Sequence, residues 1–157
     1  MLYLAYGSNI NRQQMENRLK PYKPVFIAFG YLSDYKLVFD GYSRVRQGLV
    51  ADLRKSKGSK APYVIWEISS EDAISKLDSC EGFISEGNPT NLYERVPIEI
   101  PGYSNVVVYL MTEYNISRRG DCRSINPTYI ETIRDGYKDF GLDQDYLDYA
   151  IREVSKL

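Results

Sequence analysis

Leu2-Tyr3-Leu4-Ala5-Tyr6-Gly7-Ser8-Asn9 is the stretch on which the fold turns. Leu2 to Tyr6 is short, apolar and aromatic, the pattern of a buried strand. Gly7-Ser8-Asn9 breaks it at once. Ile10 to Leu19 follows with few β-branched residues and with Met15 and Leu19 one helical turn apart, which predicts a helix with Asn9 as its N-cap. Strand, glycine turn and helix start together aim several free backbone N–H groups at one point, a site for an anion or a polarised carbonyl. A plain turn with a cap uses the same residues, so the rest of the chain must choose.

Outward from there, Val25–Leu32 and Tyr35–Phe39 read as strands interrupted at Ser33-Asp34 and closed by Asp40-Gly41. Gln47–Leu53 is a further strand, with Gly48 marking a bulge or a close approach. The basic run Arg54–Lys60 is rich in Ser and Gly and reads as a solvated loop, and Pro62–Ile68 carries the single tryptophan on another strand. Ser69 with Asp72 resembles a capping box for a helix that ends at Gly82. Phe83–Asn91 is a loop, Tyr93–Ile100 a strand, and Asn105–Thr112 a nearly continuous apolar run typical of a central strand. Asn115–Ile125 is polar and irregular. Pro127 then opens a helix behind Asn126, with Gly141 as its stop, and Asp143 caps a last helix. The order predicts one α+β domain over residues 1–157, with a mixed curved sheet closing to a small β-barrel flanked by helices.

Composition narrows the function. The chain has 20 Lys and Arg against 21 Asp and Glu, a net charge of −1, with no basic face to neutralise phosphates, so no nucleic-acid partner is expected. No stretch has the apolar length of a membrane span, and the first residues lack a signal pattern, so no membrane partner is expected. The two cysteines, Cys80 and Cys122, form no framework, which fits a reduced, cytoplasmic setting. Histidine is absent. That removes Ser-His-Asp and Cys-His catalysis and His-containing zinc sites, and predicts neither a metal nor a cofactor. Proton transfer must then run through carboxylate, Tyr, Lys or Cys, and the 15 tyrosines predict a pocket lined by hydroxyls.

Glu81, in Leu77-Asp78-Ser79-Cys80-Glu81-Gly82, is the carboxylate best suited to that work. It ends a helix, where the macrodipole opposes negative charge, and it stands beside apolar Phe83, so its pKa should be raised toward neutrality. Solvated helix-end glutamates are nevertheless common. Cys80 has no base and an acidic neighbour, and Ser8 likewise lacks a base, so neither is a nucleophile.

Taken together, Tyr6-Gly7-Ser8-Asn9 after an N-terminal strand, Leu77-Asp78-x-x-Glu81-Gly82 and Tyr93-x-Arg95 resemble gamma-glutamylcyclotransferase and its plant avirulence-induced-gene relatives. The likeness continues through Gly48-Leu49-Val50-Ala51-Asp52, Tyr109-Leu110-Met111-Thr112 with Tyr114, and Pro127-Thr128-Tyr129. The resemblance implies that Glu81 is the catalytic acid/base and that Tyr3, Leu4, Ala5, Tyr6, Gly7, Ser8 and Asn9, with Tyr93 and Tyr129, bind a small-molecule gamma-glutamyl substrate. It implies conversion of a gamma-glutamyl amino acid or amine to 5-oxoproline by intramolecular aminolysis. The oligomeric state is left open by the sequence, a homodimer included. Two departures stand out. The loop Phe83–Asn91 is longer than in the animal enzyme and is expected to border the leaving-group side, and Tyr63 replaces a glycine, either reshaping the pocket or packing in the sheet. The alternatives are a cyclotransferase of a specialised biosynthetic intermediate and a non-catalytic domain of the same fold that binds an acidic metabolite.

Overall fold

The computed structural model describes residues 1–157. Its strands are β1 (Leu2–Ala5), β2 (Val25–Ser43), β3 (Gly48–Glu67), β4 (Tyr93–Ile100) and β5 (Tyr103–Met111), in one mixed sheet of order β2-β3-β1-β5-β4. The helices are α1 (Arg12–Leu19), α2 (Glu71–Cys80), α3 (Glu113–Ser117), α4 (Pro127–Phe140) and α5 (Gln144–Glu153). Four-residue β1 sits at the centre, parallel to β5 and antiparallel to β3. Leu4, Ala5, Val64, Ile65, Trp66 and Val108 around it are sealed from solvent, as a strand covered on both faces must be.

β2 and β3 are single long strands where the sequence predicts four short ones. Their pairing runs Ser33↔Lys60 and then Tyr35↔Lys55, so Ser56–Ser59 bulge out opposite Asp34 alone. Asp34 takes a positive φ of 65° and its carboxylate accepts from the Gly58 N–H at 2.9 Å. The break at Ser33-Asp34 and the loop at Arg54–Lys60 are therefore one feature, a bulge inside a hairpin arm. Within that run Arg54 is no solvated cation: it pairs with Asp40 at 2.5 Å and Asp52 at 3.3 Å. Gly48 is a close approach, since a Cβ there would lie 3.0 Å from the Ser124 carbonyl.

The expected barrel does not close. β2 and β4 are the edges of the ladder and do not pair. Only Val64–Glu67 at the end of β3 pair with both β2 and β1, so its first half has β2 alone. The free side of that first half is met by side chains instead. Tyr93 on β4 donates to the Ala51 carbonyl at 2.7 Å, the Ala51 N–H donates to the Tyr129 hydroxyl at 3.0 Å, and the Met111 N–H donates to Asp52 at 3.0 Å. Side chains, wider than a ladder bond, leave room beneath them.

β1 and β5 both run toward this gap. After β1 the chain forms a 3₁₀ turn, Ser8–Ile10, before α1. Asn11, not Asn9, caps α1, accepting from the Gln14 N–H at 3.0 Å. Ser70, not Ser69, caps α2. The stretch after β5 that the sequence leaves irregular begins as α3, capped by Thr112. α4 starts at Pro127 behind its Asn126 cap and presses on the 3₁₀ turn through Gly136, where a Cβ would come 2.8 Å from the Asn11 nitrogen.

Candidate active site

The last turn of α2 is fixed before any ligand arrives. Gly82 adopts φ 62°, which closes the helix and packs it beneath Leu92, where a Cβ would sit 2.8 Å from the leucine side chain. Asp78 accepts from Arg95 Nη1 with both oxygens at 2.9 Å and from the Tyr109 hydroxyl at 2.5 Å. The Leu77-Asp78-x-x-Glu81 and Tyr93-x-Arg95 motifs thus meet in one ion pair that ties α2 to β4 and β5.

Glu81 leaves that turn on another heading. Its side chain is 14% exposed. Asn9 Nδ2 donates to Oε1 at 2.8 Å and to the Tyr3 hydroxyl at 3.0 Å, and Arg18 stands 4.0 Å away. Burial raises the Glu81 pKa above the usual carboxylate range, against the opposing pull of Arg18, Asn9 and Arg46. Burial is the leading cause, the effect that the apolar neighbour Phe83 signals in the sequence.

Asn9 has no freedom in how it meets Glu81. Its Oδ1 accepts from Gln14 Nε2 at 2.9 Å and Arg18 Nη1 at 2.8 Å, so only the amide nitrogen is left to face the carboxylate. Its backbone carbonyl accepts from Trp66 Nε1 at 2.8 Å. Gln14 is itself held, donating to Ser8 Oγ at 2.8 Å and accepting from Arg46. Gln14 and Arg18 were missed in the sequence, although their i,i+4 spacing on α1 places them in one polar row.

These groups open onto a cavity of about 250 Å³. Of the residues that the sequence singles out, Tyr3, Tyr6, Gly7, Ser8, Asn9, Glu81, Tyr93 and Tyr129 line it. Leu4 and Ala5 do not; both are fully buried in the core around β1. The Gly7 and Ser8 carbonyls accept from Ile10 and Asn11, while the N–H groups at the head of the turn have no partner within it. Gly7 also lets the turn close on β3, since a Cβ there would touch the Ala51 methyl at 3.0 Å.

The tyrosines are less free than the sequence implies. Tyr6 donates to the Tyr109 carbonyl at 2.6 Å and Tyr93 to that of Ala51, so both retain only acceptor capacity. Tyr129 accepts from Ala51 and keeps its proton to donate. Burial raises the pKa of all three, so they are neutral hydroxyls. The cavity therefore offers acceptors to an ammonium and donors to a carboxylate or carbonyl. Cys80 is no rival nucleophile: burial pushes its thiol up, and Glu81 adds to the rise.

The Phe83–Asn91 loop does not border the cavity; Leu92, just beyond it, does. The loop is stitched to itself by buried Asn91, which accepts from the Ile84 N–H and donates to Ser85 and Glu94. Tyr63 covers Gly30 on β2 and stays out of the cavity. No three His, Cys, Asp or Glu side chains converge as a metal site would need. Arg44 on the β2–β3 turn, and Asn115 and Arg118 after β5, also line the cavity, and no motif or periodicity marks them in the sequence.

A solved gamma-glutamyl cyclotransferase matches this chain at 24% identity with a TM-score of 0.71, over 95% of this chain and 85% of that one. An uncharacterized protein from Homo sapiens matches at 25% identity and a TM-score of 0.72, with the same coverage. YkqA from Bacillus subtilis matches at 18% identity and a TM-score of 0.71, over the whole of this chain but 55% of its own length. No protein-family model and no curated protein matches the sequence. The chain, with its single mixed sheet of order β2-β3-β1-β5-β4, thus has the fold of a solved gamma-glutamyl cyclotransferase.

Proposed function

We propose that the protein is a cyclotransferase that releases 5-oxoproline from a gamma-glutamyl compound, with Glu81 as its one acid/base. The observation that carries this is a buried carboxylate held by a fixed amide at the wall of the cavity, beside a turn with free N–H groups. A buried carboxylate with no cation in full contact is costly unless its proton affinity is used.

The substrate's α-amine attacks its own γ-carbonyl carbon, forming the lactam C–N bond. Glu81 takes a proton from the attacking nitrogen. N–H groups of the Gly7-Ser8-Asn9 turn stabilise the oxyanion without reorganising. Glu81 then delivers the proton to the leaving nitrogen as its C–N bond breaks. From ammonium substrate to ammonium product, two protons pass from the attacking to the leaving nitrogen, and Glu81 relays them one at a time. The first leaves the α-ammonium so that the amine can attack. The second leaves the ring nitrogen after the leaving C–N bond has broken and goes to the departing amine. Because both reacting groups sit in one molecule, a cavity that folds the substrate supplies much of the rate. Tyr6 and Tyr93, with acceptor capacity only, suit the α-ammonium, and Tyr129 suits the α-carboxylate.

The test is incubation with a panel of gamma-glutamyl dipeptides and amines, with 5-oxoproline measured by mass, for wild type and Glu81→Gln. Product from wild type and none from the variant is expected. Folded wild type that binds these compounds without forming product would make the domain a binding module.

A further inference from the structure

Arg46, half-buried on the β2–β3 turn, spends its charge on neutral partners. Its guanidinium lies 5.0 Å from the centre of the Tyr129 ring and donates from Nη2 to Gln14 Oε1. Its backbone is fixed on both sides, the N–H donating to Ser43 Oγ at 3.1 Å and the carbonyl accepting from Asn126 Nδ2 at 3.0 Å. Burial works against the charge and pulls its pKa down. A cation held there against that cost is set to do something.

The contact with Gln14 has a direction. A guanidinium has no acceptor, so the amide must turn Oε1 toward Arg46 and Nε2 the other way. Nε2 carries two hydrogens and meets two acceptors, Ser8 Oγ at 2.8 Å and Asn9 Oδ1 at 2.9 Å. For Asn9 this is one of two safeguards, since Arg18 Nη1 donates to the same oxygen at 2.8 Å. Ser8 has only this one. Its Oγ accepts from Gln14 and makes no other hydrogen bond within the chain, so its single proton is unspent, and Ser8 lines the cavity. With the Gln14 amide reversed, Oε1 would accept the Ser8 proton and turn it away from the cavity.

Given the cyclotransferase reading, on which this rests, we infer that Arg46 is a positioning residue that acts through Gln14 to keep the Ser8 hydroxyl a donor toward the cavity. There the proton stands beside the N–H groups of its own turn, where the γ-carbonyl oxygen gains negative charge in the reaction. Arg46 is outside the cavity wall and touches no substrate. Its charge also acts on Glu81 directly, opposing the rise in that pKa. Removing Ser8 separates the two effects, because only the first passes through the hydroxyl.

Arg46→Met should lower kcat about tenfold with KM within about threefold of wild type, and Arg46→Lys, another cation without an acceptor, should recover most of the loss. Ser8→Ala should cost about tenfold or more by itself. In a Ser8→Ala background Arg46→Met should cost less than about twofold more, since the proton it directs is gone. An equal Arg46→Met loss with and without Ser8 is what a charge effect or a folding defect produces, and it overturns the inference. So does an Arg46→Met or Ser8→Ala enzyme within twofold of wild type. NMR reads the amide without substrate. Nuclear Overhauser contacts from the Gln14 Nε2 protons to the Ser8 β-protons should be strong in wild type and several-fold weaker in Arg46→Met. Their absence from wild type, or their persistence in the variant, also overturns it. Turnover by wild type is read separately. No 5-oxoproline from wild type overturns the cyclotransferase reading, while the Gln14 contacts still decide whether Arg46 sets the direction of the amide.

Discussion

Two carboxylates leave the end of α2 within one helical turn, and they enter opposite environments. Toward β4 and β5, Asp78 is saturated: Arg95 spans both oxygens and the Tyr109 hydroxyl closes on one of them. Toward the cavity, Glu81 has one amide donor and an arginine at the edge of contact. Burial raises Glu81 above the usual carboxylate range. Asp78 is bound into the structure by its partners. Glu81, buried and under-paired, holds a proton more tightly, and it is the one suited to chemistry.

The largest effect that tests this contrast is at Glu81. Glu81→Gln should lower kcat by about 10²- to 10⁴-fold, the usual worth of a positioned acid/base. Steady-state release of 5-oxoproline measures it, and a variant within tenfold of wild type would end the assignment. Asp78→Asn should act the other way round, mainly on stability, by about 1–3 kcal/mol in urea unfolding, because it leaves the Arg95 guanidinium short of its partner. If Asp78→Asn instead abolished turnover in a stable protein, the two roles would have to be exchanged.

pH sharpens the contrast. kcat/KM should fall on the acid side with a midpoint above that of an ordinary glutamate, because Glu81 must be ionised to act and burial holds its proton more tightly. Arg18→Met removes the main opposing charge and should move that midpoint further up. The sign for stability is the reverse. With its folded value above the unfolded one, Glu81 favours the folded state at pH below the unfolded value, and this contribution is lost as pH rises through the folded value. Glu81→Gln should therefore melt no lower than wild type at pH 7, and the two melting temperatures should converge in acid. The smallest effect is at Tyr129: Tyr129→Phe leaves the Ala51 N–H without its acceptor and should cost about 1 kcal/mol in urea unfolding.

What the sequence disclosed was what local physics decides. A five-residue apolar run ended by glycine reads as strand and turn wherever it occurs, and Pro127 behind Asn126 reads as a helix start. Asn9 and Asn11 are both good caps, and the choice between them was made by partners distant in sequence, Glu81 and Trp66, which occupy Asn9. The Ser56–Ser59 bulge had the composition of a loop because only its register against β2 makes it part of a strand. Glu81 was legible from its helix end and its apolar neighbour Phe83, the second of which points to the leading cause, burial. Arg44, Asn115 and Arg118 were not legible, since they stand in segments without periodicity and only the topology brings them to the wall of one cavity.

Gly136 also bears on how the molecule breathes. Because the turn at Ser8–Ile10 touches α4 backbone to backbone at this glycine, it cannot swing out while the helix stays in place. Hydrogen exchange should therefore slow at Ser8–Ile10 to the pace of α4, two stretches more than a hundred residues apart opening as a single cooperative unit.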